Sequence, residues 1–289
     1  MTHKLAELMR KMWNPRNFKG HANPHEVMQA IGSASHKMFK IGEQKEPTLL
    51  MSWLLNSLNL YLGTKKKSGI LTNLLRGSLV AKSENLLKST HSGADPVEEE
   101  TKQGAKQFWY IDTFYYRMLS LDLPSVPLYK EGSAGLPTIP QAALESLFSK
   151  FDGKTTADDT RAGTRSTFRL VRLPRYLILA VKRFVKNEFF VEKNNTLISF
   201  PSKDIDLGNC IKSGIICLDV ENKEPGKSYK YSLIAQVVHE GKPNSGTYKI
   251  QVLQRASGQW IEIQDLNVLP IMPQMVSLSE SYMLVLEMQ

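Results

Sequence analysis

Beyond residue 166 the chain is a succession of strand-length segments: TFRLVRLPRYLILAVKRF, NEFFVEK, KYSLIAQVVHEG, GTYKIQVLQR and GQWIEIQD. Each is rich in β-branched and aromatic residues, and turn signals separate them. Such segments bury their apolar sides only by pairing into sheets, so a β-rich body is the main constraint on the fold. Gly258, between Ser257 and Gln259, marks a hairpin joining two of these strands.

The first 62 residues read differently. Leu5, Leu8, Met9 and Met12 recur at helical spacing and Pro15 stops that helix. Asn23 and Pro24 open a second helix, with Asn as cap and Pro in the first turn. A third follows Pro47, with Leu50, Trp53, Leu54, Ser57, Leu58 and Tyr61 as its apolar stripe. It contains the most apolar segment of the chain, TLLMSWLLNSLNLYLG, but Ser52, Asn56, Ser57 and Asn59 interrupt it, so it reads as a buried helix and not as a membrane span. Strand character is expected in residues 69–79 and 109–123, a short helix in IPQAALESLFSKF, and exposed loops over 88–107 and 150–165.

Composition narrows the classes. Hydrophobic residues make up 42% of the 289 and charged residues 22%, as in folded globular domains. A net charge of +9 favours acidic partners, but the positive charge is scattered. Its one compact run, Lys65 to Lys67, reads as a solvated loop, and no RNA-binding motif with interleaved aromatics is present. Two cysteines, Cys210 and Cys217, exclude a disulfide framework and fit a reducing compartment, and the N-terminal run lacks the apolar core of a secretory signal. Without a CxxC pair or an HExxH-like pairing among His3, His21, His25, His36 and His91, neither metal nor cofactor is expected.

Ordered motifs then carry a resemblance. Phe114 precedes Leu119, Leu121, Asp122, Leu123 and Pro124, and LPRYLILAVKRF follows from Leu173 to Phe184. Next come Tyr231, Leu233, Ala235, His239, Gly241, Gly246 and Tyr248, then Trp260 and Asp265, and last SYMLVLEM. Over about residues 65–289 this resembles the ubiquitin-specific proteases, cysteine deubiquitinases of papain-like fold. The resemblance implies an α+β architecture with a helical thumb remnant over residues 1–62 and an antiparallel β palm and fingers over 63–289.

Two positions break the family's pattern. Thr247 stands where its G-H-Y segment has the catalytic base, and Gln264 stands where an Asp or Asn orients that base. The segment G-x-x-N-x-G-N-T-C that would carry the nucleophile does not occur, and truncation is the expected reason, since the chain opens in thumb-like helices. A cysteine hydrolase needs thiolate, base and orienting group, so a pseudoenzyme is expected, with no catalytic residues. His239, the nearest alternative base, and the two cysteines read as structural.

Within the family, WNPRNFKGHANPHEVMQAI, KRFVKNEFFVEKN, VVHEGKPNSGTY and PQMVSLSESY look most like the peptidase-inactive, splicing-associated branch. That likeness implies a nuclear binding or assembly factor for pre-mRNA splicing whose partners are spliceosomal tri-snRNP proteins. Ubiquitin or a ubiquitin-like protein is a further candidate partner, direct RNA contact is a third, and no membrane is expected. The competing reading is an active deubiquitinase that hydrolyses ubiquitin isopeptide bonds through an unrecognised nucleophile.

Overall fold

The computed structural model describes residues 1–16, 20–63, 69–85, 97–100, 106–125, 139–159, 164–186, 190–208, 229–243 and 245–289. Lys65 to Lys67, His91, Cys210, Cys217 and most of the 88–107 loop lie outside them. The chain divides into two units, Met1–Asn73 and Leu74–Gln289.

The first unit is helical: α1 (Thr2–Met12), α2 (His25–Ala34) and α3 (Pro47–Leu62). The second helix starts one residue later than expected: Pro24 occupies the cap position instead of the first turn, and Asn23 lies before it, its Oδ1 accepting the His25 backbone N–H at 2.9 Å in a turn that leads into the helix. Lys4 joins α1 to α2 by reaching Glu7 at 3.1 Å and Glu26 at 3.0 Å. The expected burial of α3 is not observed. Leu55 is its one buried residue and lies off the predicted stripe, while Tyr61 on that stripe is exposed.

A fourth helix, α4 (Ile70–Leu75), occupies the first half of the run expected to be a strand. A short apolar run has no periodicity that separates helix from buried strand. Strand structure begins at β1 (Gly77–Asn85).

Two sheets build the second unit. One has five antiparallel strands in the order β2 (Val97–Glu100), β3 (Lys106–Tyr116), β1, β7 (Thr164–Arg172), β6 (Asp152–Asp159). Strand β2 lies inside the first expected loop and β6 inside the second. DGKTTADD lacks the usual strand residues and is an edge strand, held by its pairing to β7. The larger sheet runs β16 (Asn267–Ile271), β15 (Gln259–Gln264), β14 (Thr247–Gln254), β13 (Lys230–Glu240), β17 (Ser281–Met288), β8 (Tyr176–Lys182), β4 (Met118–Asp122), with β12 (Ile205–Asp206) paired to β13. All its pairs are antiparallel except β4 with β8.

TFRLVRLPRYLILAVKRF is therefore two strands in two sheets. The break falls at Leu173 and Pro174, both buried, where proline supplies no ladder N–H, and the Tyr231 hydroxyl donates to the Pro174 carbonyl at 2.6 Å. Smaller pairs are β9 (Phe184–Lys186) with β10 (Val191–Lys193), antiparallel, and β5 (Gln141–Ala143) with β11 (Leu197–Ser199), parallel. The helix expected in IPQAALESLFSKF shrinks to α5 (Leu144–Leu147) after β5, followed by a 3₁₀ turn at Ser149–Phe151. The core gathers Leu121, Leu144, Phe148, Leu170, Leu179, Tyr231, Trp260 and Leu284 between these elements. Asp122 ends β4 between Lys150 and Lys182; burial pushes its carboxyl up, but the two lysines outweigh it and hold it below the usual range.

Candidate functional site

Strands β13, β14 and β15 hold the two positions that the sequence singles out. Thr247 opens β14, exposed and paired with Glu240, and Gln264 ends β15, half-buried and paired with Asn267. Paired residues share a sheet face and side chains alternate along each strand. The pairs Glu240 with Thr247, Val238 with Lys249, and Gln251 with Glu262 thus put Thr247, Lys249, Gln251, Glu262 and Gln264 on one face.

Lys249 dominates that face. Its ammonium bonds Glu240 at 2.8 Å and Glu262 at 3.3 Å, and the hydrogen bond to Glu240 is the main cause holding it above the ordinary lysine range. A polar chain extends inward. Gln251 donates to Glu262 at 2.8 Å, Gln236 donates to Gln251 at 2.6 Å and to the Val276 carbonyl at 2.7 Å, and Ser281 donates to Gln236 at 2.7 Å. Val276 belongs to α6 (Pro273–Ser277), so the network fastens that helix to the sheet. Neither the threonine hydroxyl nor the carboxamide can accept a proton near neutral pH.

His239 pairs with Tyr248 and so projects from the opposite face to Thr247. It is 1% exposed, with its ring 5.0 Å from Phe184 and 4.9 Å from Tyr248 in edge-on contacts, and Tyr282 packs against both neighbours. Burial pushes its pKa below the ordinary imidazole value and Lys193 adds to the effect. The turn beyond it is built around glycine. Gly241 takes φ +90°, and a Cβ on Gly246 would lie 2.3 Å from the His239 ring and 2.5 Å from the Glu240 carbonyl oxygen.

Two cations brace this region from below. Arg183, fully buried, donates to the carbonyls of Ser281 at 2.6 Å, Asn194 at 2.9 Å and Thr196 at 2.8 Å, and burial lowers its pKa to about 10. Lys193 donates to the carbonyls of His239 at 2.8 Å and Gly241 at 3.1 Å and pairs with Glu280. Trp260 is buried in the core, and Asp265 forms the β15–β16 turn in a left-handed conformation, φ +52°.

Sequence reasoning missed Arg183, Lys193, Lys249, Gln236 and Gln251. Arg183 lies within a quoted motif, yet nothing in the sequence distinguishes a buried arginine from a solvated one. Among the described residues no group of three or more His, Cys, Asp or Glu could hold a metal ion, and no helix is long and apolar enough to cross a membrane.

A family model described as ubiquitin carboxyl-terminal hydrolase matches residues 1–286. The chain is 40% identical over 289 residues to human "Ubiquitin carboxyl-terminal hydrolase 39", covering 98% of this chain and 49% of that protein. It is 32% identical to the Schizosaccharomyces pombe "Probable mRNA-splicing protein ubp10", covering 98% of this chain and 55% of that one. The Saccharomyces cerevisiae "Pre-mRNA-splicing factor SAD1" is 25% identical, with 99% and 57% covered. The chain thus spans about half the length of these curated relatives. Among solved structures, an essential yeast splicing factor matches with TM-score 0.61 at 22% identity, covering 97% of this chain and 57% of that one. The Ubp8-Sgf11-Sgf73-Sus1 SAGA DUB module matches with TM-score 0.65 at 19% identity, covering 100% and 57%. These likenesses show the fold: the α+β, papain-like architecture of ubiquitin-specific proteases.

Proposed function

The chain belongs to the ubiquitin carboxyl-terminal hydrolase family, and we propose that it is a non-hydrolytic member that serves pre-mRNA splicing as a binding and assembly factor. The carrying observation is the face shared by Thr247 and Gln264. At the position of the family's base stands a hydroxyl, at the position of its orienting group a carboxamide, and between them an ammonium ion-paired to Glu240 and Glu262. A thiolate supplied by a longer form of the protein would meet no base there, and His239 projects from the other side of the sheet. Loss of such a unit removes on the order of 10⁴- to 10⁶-fold in rate.

The relatives named for mRNA splicing support the cellular role, and nuclear residence with tri-snRNP proteins as partners follows as part of the same proposal. In this reading the helical segment is a thumb and the two sheets are palm and fingers, kept for recognition. The test pairs two measurements on the purified chain. Ubiquitin fluorogenic substrate stays uncleaved, and affinity capture from nuclear extract retains tri-snRNP proteins. Cleavage that disappears on Cys210→Ser or Cys217→Ser would overturn the non-hydrolytic assignment, and a capture without splicing proteins would overturn the assembly role.

A further inference from the structure

One face of the five-stranded sheet combines cations with an exposed aromatic ring in a way that the linear sequence conceals. Tyr115, Ser78 and Arg172 are paired across β3, β1 and β7, and the next same-face row pairs Thr113, Val80, Arg169 and Asp152. Ile111 continues the face on β3. Tyr115 is 64% exposed and the Arg76 guanidinium stacks 3.5 Å from its ring centroid. At about 4.8 Å per strand, Tyr115 and Arg172 stand roughly 10 Å apart on one surface.

The acidic groups of the face include Asp152, paired across the strands with Arg169, and Asp158 and Glu84, both paired across the strands with Arg165, whose guanidinium Glu84 also influences. Asp152 accepts the backbone N–H groups of Lys154 at 2.6 Å and Thr155 at 2.8 Å, and Asp158 is held by Arg165 at 2.8 Å. Arg169 and Arg172 make no ion pair with a carboxylate among the described residues. A second guanidinium–tyrosine pair, Arg175 with Tyr176 at 5.7 Å, follows three residues after Arg172, at most about 10 Å along the chain.

We propose that this face binds single-stranded RNA, with a base stacked on Tyr115 beside Arg76 and with Arg169 and Arg172 on backbone phosphates. A stacking platform next to arginines that track the backbone is the physical basis of single-strand binding without strict sequence preference. Exposed Thr113, in the row of Arg169 and two residues from Tyr115 on β3, supplies a hydroxyl partner for a ribose 2′-hydroxyl, which favours RNA over DNA. The net charge of +9 matches a polyanion. An acidic peptide would be drawn by the same charges but has no use for the stacked ring.

The test is fluorescence anisotropy of the full chain with labelled oligouridylate across a salt series. Arg169→Glu with Arg172→Glu should cut affinity and flatten the log-affinity against log-salt slope by about 1.4, at ~0.7 for each phosphate no longer neutralised. Tyr115→Ala should weaken binding about 5- to 150-fold while Tyr115→Phe retains it, so loss of the ring is separated from misfolding. Lys203→Glu, exposed and in a different part of the unit, should leave affinity unchanged. Absence of saturable binding would overturn the proposal, as would equal affinity for polyglutamate, equal affinity for oligodeoxythymidylate, or indifference to Tyr115→Ala. None of these outcomes bears on ubiquitin hydrolysis or on capture of splicing proteins, so the two readings fail separately.

Discussion

Gly246→Ala tests whether the turn after His239 is packed as tightly as its geometry indicates. The added methyl would lie 2.3 Å from two ring atoms of His239 and 2.5 Å from the Glu240 carbonyl oxygen, where about 3.4 Å is needed. Roughly 1 Å of movement is therefore required. The ring is 1% exposed and walled by Phe184 and Tyr248, and the carbonyl belongs to the strand paired with β14. Overpacking a closed site costs about 1–3 kcal/mol, and with a ring and a main-chain carbonyl both obstructed the upper end, about 3 kcal/mol, is expected. For a unit of this size each kcal/mol lowers Tm by about 2–4 °C, so thermal melts followed by circular dichroism should fall by roughly 6–12 °C. Gly258→Ala is the reference, because nothing lies within 4 Å of its Cβ position and only its φ of +68° is strained, a cost of about 1 kcal/mol. Adding His239→Ala to Gly246→Ala should relieve the clash and give a coupling above about 1 kcal/mol in a double-mutant cycle. A Gly246→Ala melt no lower than that of Gly258→Ala, or zero coupling to His239, would refute the reasoning.

Two further outcomes follow from the buried cations and the buried imidazole. Arg183→Met should cost about 3–5 kcal/mol in urea unfolding, because it strands the Ser281, Asn194 and Thr196 carbonyls that the guanidinium satisfies; a loss below about 1 kcal/mol would contradict the clamp. His239 has a folded pKa below its unfolded value of about 6.5, so the unfolded chain takes up a proton that the folded chain refuses. Stability from this group is complete above about pH 6.5 and falls as pH drops below it, by at most ~1.4 kcal/mol per pH unit. Comparing Tm against pH for the parent and His239→Gln should isolate that slope, and identical profiles would exclude it.

Some of the fold was legible because its signals are local. The helix stop ahead of Pro15 and the hairpin at Gly258 each depend on a few neighbouring residues, and both appear at their expected places, while the start signalled by Asn23 and Pro24 is off by one residue. Elements without a local signal were misread. Residues 152–159 are a strand because β7 offers a ladder to an otherwise polar segment, and Ile70–Leu75 is a helix although its six residues have no distinguishing period. The break at Leu173 and Pro174 marks a change of sheet, which depends on partners about a hundred residues further along in β17.

What the sequence alone determined is the resemblance to a hydrolase family and the identity of the residues at the two positions it singles out, Thr247 and Gln264. A side chain's chemistry is fixed by its identity, so that neither position offers an imidazole is evident from the residue types themselves. The tertiary structure decided where those residues face. Strand register brings Thr247, Lys249 and Gln264 to one side, turns His239 to the other, and buries Arg183 against a carbonyl 98 residues away. It also gathers Arg76, Tyr115, Arg169 and Arg172 from three separate stretches onto one surface. Pairing between distant strands sets these relations, and a one-residue slip would reverse every one of them that depends on strand parity.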